Sequence, residues 1–258
     1  MSRRRLNCIA ICTLLIFNHP VTSGQDATGR QLIEHAVQAL ILSPDAIRFK
    51  SFELTGNMVS EGFADSQPIK VLVRGLYDIR FEIAHHDGSI HLAVTRAAGK
   101  GSLRGANGKV VSIARNARAG TEVPFLPLPG ILADLLASAG QVTYLGFDTV
   151  GGRTVHHVAI ARQFPKDIDP DGIMTAHSTI DIFIDPETFL IVKLAHTAAD
   201  LSGKRSVART VTFGDYRPVN GAMVPFSMTE ILDGQKTWSV TVSSIDFNRE
   251  CKDADFQL

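Results

Sequence analysis

Apolar and polar residues alternate with a period of two through most of this chain, the spacing of half-buried β-strands. The stretch "VTFGDYRPVNGAMVPFSMTEILDGQKTWSV", Val211 to Val240, reads as three strands separated by the turn signals "PVNG" and "LDGQ". Upstream, "FKSFELTGNMV" sets Phe52, Leu54, Gly56 and Met58 on one face. In "GLYDIRFEIAHHDGSIHLAVT", Tyr77, Ile79, Phe81 and Ile83 oppose Asp78, Arg80 and Glu82, and Asp87–Gly88 turns the chain toward Ile90, Leu92 and Val94. Asn107–Gly108 predicts a two-residue hairpin between "KGSLRGA" and "KVVSIA". Further strands follow in "QVTYLGFDTVGGRTVHHVAIA", turned by Gly151–Gly152. Pro186 presets a tight turn in "STIDIFIDPETFLIVKLAH".

Two segments keep helical spacing instead. "TGRQLIEHAVQALILS" repeats Leu32, Ile33, Ala36, Leu40 and Ile41, with Thr28 and Ser43 as candidate ends. "TEVPFLPLPGILADLLASAG" carries three prolines in seven residues, then pairs Ile131 with Leu135 and Leu132 with Leu136 along one stripe. Turn signals every 8–12 residues favour one curled antiparallel sheet over βαβ units, so the fold class is mainly β, α+β, in a single domain.

Strict alternation puts Ile180, Ile182 and Ile184 on one face and Phe183 on the other; past the turn it opposes Leu190, Val192 and Leu194 to Phe189 and Ile191. A sheet with one solvated face carries polar residues there. Apolar residues on both faces imply a cover on each, either a filled core or an apolar cavity.

Composition narrows the setting. The 258 residues are 45% hydrophobic and 20% charged, enough for one large domain. "MSRRRLNCIAICTLLIFNHPVTSG" has the basic start, short apolar run from Leu6 to Phe17 and small-residue exit of a secretory signal peptide, with cleavage expected near Ser23–Gly24. An uncleaved membrane anchor is the alternative, but a spanning helix needs about 20 apolar residues. Residues 1–23 are therefore expected to be a signal peptide, residues 24–258 one domain, and the location periplasmic. Losing Arg3, Arg4 and Arg5 and no acid leaves 23 basic against 26 acidic residues, a formal net charge of −3. Such a chain has no cationic field to attract nucleic acid. Cys8 and Cys12 fall in the signal segment, leaving Cys251 without an internal disulfide partner.

Catalytic signatures are absent: the sequence contains no G-x-S-x-G elbow, H-E-x-x-H, P-loop or C-x-x-C. "GKGSLRG" has the wrong glycine spacing for a dinucleotide. His85–His86 with His91, and His156–His157, read as polar surface histidines, because strand neighbours point to opposite faces and cannot share an ion. Asp167, Asp169, Asp171 and Gly172 match the opening of an EF-hand loop, but Ser178 stands at the twelfth position. A polar turn is expected there, with calcium as the alternative; no cofactor or metal is expected.

The C-terminal third, Val211 to Asn248 followed by "DADFQ", resembles the tail of outer-membrane lipoprotein-sorting-like proteins of the LolA/LolB superfamily. "YLGFDTVGGRTVHHVAI" and "IDIFIDPETFLIVKL" are similar to hairpins of the same family, so the resemblance covers about Val142 to Leu258. It implies an incomplete β-barrel whose open side is covered by an N-terminal and a short mid-chain helix. It also implies a non-enzymatic carrier or chaperone of lipid or lipoprotein acyl chains, monomeric, working with envelope transport proteins. On that reading Phe183, Phe189 and Ile191 line the cavity, and Phe125, Leu126, Ile131 and Leu135 belong to its lid. An envelope scaffold with a filled barrel, and then a secreted hydrolase, are the alternatives.

Overall fold

Strands that alternate this regularly need hydrogen-bonding neighbours, and each finds them in one antiparallel sheet. The computed structural model describes residues 23–61, 65–75, 78–84, 90–97, 100–105, 107–112, 125–162, 166–167, 170–171, 178–199 and 206–258. The first meander is β1 (Ser51–Ser60), β2 (Gln67–Arg74), β3 (Asp78–Ala84), β4 (Ile90–Ala97), β5 (Lys100–Arg104) and β6 (Val110–Ser112). The second is β7 (Gln141–Val150), β8 (Arg153–Ala161), β9 (Ile180–Ile184), β10 (Ile191–Ala199), β11 (Ser206–Val219), β12 (Ala222–Leu232) and β13 (Gln235–Phe247). Pairing of β1 with β13 fuses them into one 13-stranded sheet in the order β6-β5-β4-β3-β2-β1-β13-β12-β11-β10-β9-β8-β7. Among the described residues nothing pairs β6 with β7, so the barrel is incomplete.

The curl follows from one helix. In α1 (Ser23–Ala39), a Cβ on Gly29 would lie 3.1 Å from the Tyr144 backbone nitrogen of β7. Just beyond the helix, the Leu40 carbonyl accepts a hydrogen bond from the Met223 N–H of β12. Eleven helical residues span about 16 Å. Five strand spacings in a flat sheet would separate β7 from β12 by about 24 Å. The sheet must bend around α1 for both contacts to form.

Its concave face carries the core. Phe52, Leu54, Met58, Val71, Val158, Ile182, Leu194, Val224, Met228 and Val240 meet Leu32, Ile33 and Ala36 of α1 and Leu40 just after it there. The convex face is polar over most strands but has a cover where apolar residues emerge. The C-terminal 3-10 turn Asp253–Phe256 lies against β3 and β4. Arg74 holds this turn by donating to Asp253 Oδ1 at 2.8 Å and to the Cys251 carbonyl, with its guanidinium 5.0 Å from the Phe256 ring centre.

Three of the sequence-read turns form tight hairpins. Gly151–Gly152, Asn220–Gly221 and Asp233–Gly234 all have positive φ at each central residue (58° and 80°, 48° and 87°, 47° and 80°), which suits the twist of the flanking strands. The Asn107–Gly108 expectation is corrected. The last cross-strand pair is Arg104 with Val110, giving a five-residue connection in which Asn107 Oδ1 accepts from the Lys109 N–H. The Gly108 N–H also donates to the Gly105 carbonyl at 2.9 Å, so the backbone turn starts at Gly105, one residue earlier than expected, and the Asn107 side chain supports it. Ser43 ends neither helix; it precedes a separate 3-10 turn, Pro44–Arg48. The expectations for residues 1–22, Tyr77, His85, His86, Asp87–Gly88, Asp169 and Gly172, and for the His91 side chain, lie outside the described residues.

Candidate functional site

Proline at the first helical position suits a helix start, since its missing N–H has no partner to lose there. α2 (Pro129–Ala137) begins this way after Leu128, and Ser138 ends it by donating its hydroxyl to the Leu135 carbonyl. The sequence predicted one apolar stripe on this helix. Instead, all seven residues from Leu126 to Leu132 are buried. The concave core lies on one side of them and the 3-10 turn 44–48 on the other. A Cβ on Gly130 would sit 2.4 Å from the Ile47 carbonyl oxygen and 3.0 Å from that of Phe49, so only glycine permits this approach. Lys50 adds an exposed tie, with Nζ 2.9 Å from Asp134 Oδ1. The helix is a plug packed between α1, the concave core and the 3-10 turn 44–48.

The lid residues expected from the sequence gather in this plug. Leu126, Ile131 and Leu135 are buried in the common core cluster, and Phe125 packs against it with its ring centre 6.2 Å from that of Phe81. Leu128 and Leu132, both 0% exposed, belong with them, although the sequence pointed to Leu132 only as part of the helix stripe and not to Leu128. Their signal in the sequence was the unbroken run "FLPLPGIL", which has no polar residue to mark a solvent side.

The three expected lining residues do not share a face. Ile191 pairs with Ile184 and is buried in the concave cluster, and Phe189, at φ 57°, packs against it with its edge toward the His35 ring. A bulge at Val192 then shifts the register, so that Lys193 pairs with Phe183 and Leu194 with Ile182. The extra residue puts Ile191 and Leu194 on the same face, correcting the strict alternation read from the sequence.

Phe183 lies on the convex face, stacked on His157 at 4.3 Å between ring centres and capped by Lys193 Nζ at 3.4 Å. Burial pushes the Lys193 ammonium below its ordinary pKa, against the opposing pull of Asp148 and Asp181. This layer shields an apolar residue from water on the far side of the sheet from the plug.

The adjacent histidines point to opposite faces, as strand geometry requires, but both are substantially covered. His156 Nδ1 lies 3.0 Å from the Tyr144 hydroxyl, and burial holds its pKa below the usual value. His157 Nε2 lies 2.9 Å from Asp181 Oδ1. Read from the sequence as polar surface histidines, the pair is half-buried, His156 beside Tyr144 and His157 stacked on Phe183. Among the described residues no group of three or more His, Cys, Asp or Glu side chains is arranged to hold a metal ion.

The turn that presents Phe189 and Ile191 is built by Asp185. Burial would raise its carboxyl pKa, but the backbone N–H groups of Thr188 and Glu187, the Thr188 hydroxyl and the Arg153 charge outweigh burial and hold it below the ordinary range. Tyr216 then donates its hydroxyl to the Ile191 carbonyl at 2.6 Å, tying β10 to β11.

No family model and no curated protein matches the chain. Solved structures do. A domain from Vibrio parahaemolyticus described as an outer membrane lipoprotein-sorting protein domain superposes with a TM-score of 0.53 at 13% identity, covering 90% of this chain and 97% of that one. A LolA superfamily protein from Nitrosomonas europaea gives 0.53 at 12% identity over 89% and 97%. A DUF1329 family protein from Desulfovibrio piger gives 0.54 at 13% identity over 90% and 97%. At these identities the likeness is one of fold, and it covers 89–90% of this chain and 97% of each neighbour. The chain has the fold of the LolA superfamily.

Proposed function

We propose that this protein is a non-enzymatic carrier or chaperone of the cell envelope, which takes acyl chains of a lipid or lipoprotein against its concave face when α2 moves aside. The observation that carries the reading is the plug: an apolar segment with proline-stiffened entry is buried against the concave core of a sheet whose edge strands β6 and β7 do not pair among the described residues. Energetic balance supports an exchange of plug for cargo. Withdrawing Leu126, Leu128, Ile131, Leu132 and Leu135 exposes five large side chains, at about 1.5–3 kcal/mol each, or about 8–15 kcal/mol together. A sixteen-carbon chain hides about 15 methylenes at about 0.8 kcal/mol each, or about 12 kcal/mol. One acyl chain is therefore matched to the plug it would replace, and neither state dominates by so much that loading or release becomes impossible.

Export through residues 1–23 would place this activity in the periplasm, where a lipid crossing water needs its chains covered. The lipoprotein-sorting description of the Vibrio parahaemolyticus neighbour agrees with that class of cargo. The second reading is an envelope scaffold with a permanently filled core, favoured by the complete burial of Leu128 and Leu132. Titrating the mature chain with a fluorescent acyl lipid separates the two. Saturation at one probe per chain, reversed by unlabelled lipid, supports the carrier; no saturable uptake at lipid concentrations below micelle formation rejects it.

A further inference from the structure

The concave face is apolar along most of its length, but one row breaks the pattern. Val211 of β11 belongs to the core cluster and pairs across strands with Glu230 of β12, so Glu230 points to the same side. Arg209, two residues before Val211, shares that face and pairs with His196 of β10, while Glu230 pairs with Trp238 of β13. Trp238, Glu230, Arg209 and His196 therefore form a diagonal row across four strands, with Arg209 two residues along β11 from Val211, the cross-strand partner of Glu230. Glu230 is 7% and His196 6% exposed.

Within the row, the hydrogen bonds orient the arginine and leave part of it unused. Arg209 Nε donates to Glu230 Oε1 at 2.5 Å, and the Thr237 hydroxyl donates to Glu230 Oε2 at 2.6 Å. The guanidinium is thus fixed through Nε by Glu230, its terminal amino groups take no partner among the described residues, and its side chain remains 24% exposed. A buried ion pair on a largely apolar face gives no clear stability advantage over apolar residues of similar volume. A fixed planar fork of donors does suit an oxyanion, since little rotamer freedom is left to lose on binding.

We infer that this row is the head-group site of the cargo, and that Arg209 binds the phosphate of an anionic phospholipid whose chains run onto the neighbouring Val211, Met228 and Val240 surface. The inference rests on the carrier reading and assigns the chemical class of its ligand. Arg209 contacts the phosphate through its terminal amino groups. Glu230 is a positioning residue, held in turn by Thr237. Partial exposure of Arg209 keeps the phosphate at the water boundary while the chains lie inward, so the added negative charge is not fully desolvated.

The test measures binding of short-chain phosphatidylglycerol, of diacylglycerol with the same chains, and of inorganic phosphate to the mature protein. Wild type is expected to bind the phospholipid more tightly than the diacylglycerol, and inorganic phosphate not measurably at millimolar concentration. Arg209→Met should weaken phospholipid binding about 10- to 100-fold, the loss of a charge-assisted pair, and leave diacylglycerol unchanged. Because that variant leaves Glu230 buried without its partner, Arg209→Met with Glu230→Gln is measured beside it and should show the same selective loss. Arg209→Lys, which keeps the charge without the fork, should recover only part of the affinity. Equal binding of the two lipids by wild type, or equal weakening of both by the double variant, overturns the head-group site while leaving the carrier intact. Tight binding of inorganic phosphate alone overturns the assignment to a lipid. Uptake of neither lipid by wild type rejects the carrier reading and this inference with it.

Discussion

Replacing Gly130 by alanine would put a methyl carbon 2.4 Å from the Ile47 carbonyl oxygen and 3.0 Å from that of Phe49. Both obstacles are backbone atoms that no side-chain rotation removes, so α2 must lift from the 3-10 turn or the turn must yield. Overpacking of this kind costs about 1–3 kcal/mol. The penalty falls on the closed state alone, because a displaced α2 no longer touches residues 47–49. Alanine also strengthens the helix itself by about 0.8–1 kcal/mol relative to glycine, in whichever state it is found. If binding requires the plug to leave, the open-to-closed ratio rises about 5- to 150-fold and apparent lipid affinity tightens with it, until the open form dominates. The assay is titration with the fluorescent acyl lipid, run with a thermal melt on the lipid-free protein. A destabilised lipid-free chain that binds lipid more tightly is the expected pair of results. Gly214→Ala is the control, since nothing lies within 4 Å of a Cβ built there. Gly130→Ala that melts lower and binds lipid no better than wild type would refute the reasoning.

Other outcomes follow from the same geometry. Ile191→Ala removes a side chain that is 0% exposed in the concave cluster and should cost about 2–5 kcal/mol, read as a lower denaturant midpoint with an unchanged slope; an unchanged midpoint would mean that the lipid-free chain is not packed as described. Asp185→Asn weakens the turn before β10 by about 1–3 kcal/mol at neutral pH. The Asp185 carboxyl has a depressed folded pKa, so its contribution is complete above the unfolded value of about 3.9 and is lost as pH falls through the folded value; the stability gap between wild type and Asp185→Asn should therefore shrink in that acid window, and a gap that instead widens there would contradict the assignment. Exported protein should begin near Gly24, which an intact-mass measurement retaining residues 1–23 would contradict.

Much of the fold was legible because its signals are local. Asn220–Gly221 and Asp233–Gly234 impose tight turns whatever surrounds them, and the alternation in β1 and β3 assigns Phe52, Leu54, Ile79 and Ile83 to the face they occupy. Features that depend on a partner were not legible. The bulge at Val192 leaves no mark of its own in "LIVKL", yet one extra residue changes which side every later residue faces. The shielding of Phe183 needs His157 from one neighbouring strand and Lys193 from the other. The plug was half visible: "PFLPLPGIL" announced a stiff apolar segment, but its burial on both sides depends on the close approach of Gly130 to residues 47–49. The Arg209–Glu230 pair was hidden among other strand-face charges, because only the assembled sheet shows that these two point inward.

Whether α2 must move for lipid to enter is tested most directly by fastening it shut. Lys50 and Asp134 meet at 2.9 Å on the exposed side of the plug, where losing the ion pair costs about 1 kcal/mol or less. Cysteines at these two positions, in the mature chain with Cys251 replaced by serine, can be joined through reducible disulfides by a short bis(thiosulfonate) reagent, which releases sulfinate at each end. The account predicts that the bridged protein takes up no acyl probe and that reduction restores the affinity of the unbridged variant. Full uptake by completely bridged protein would contradict it.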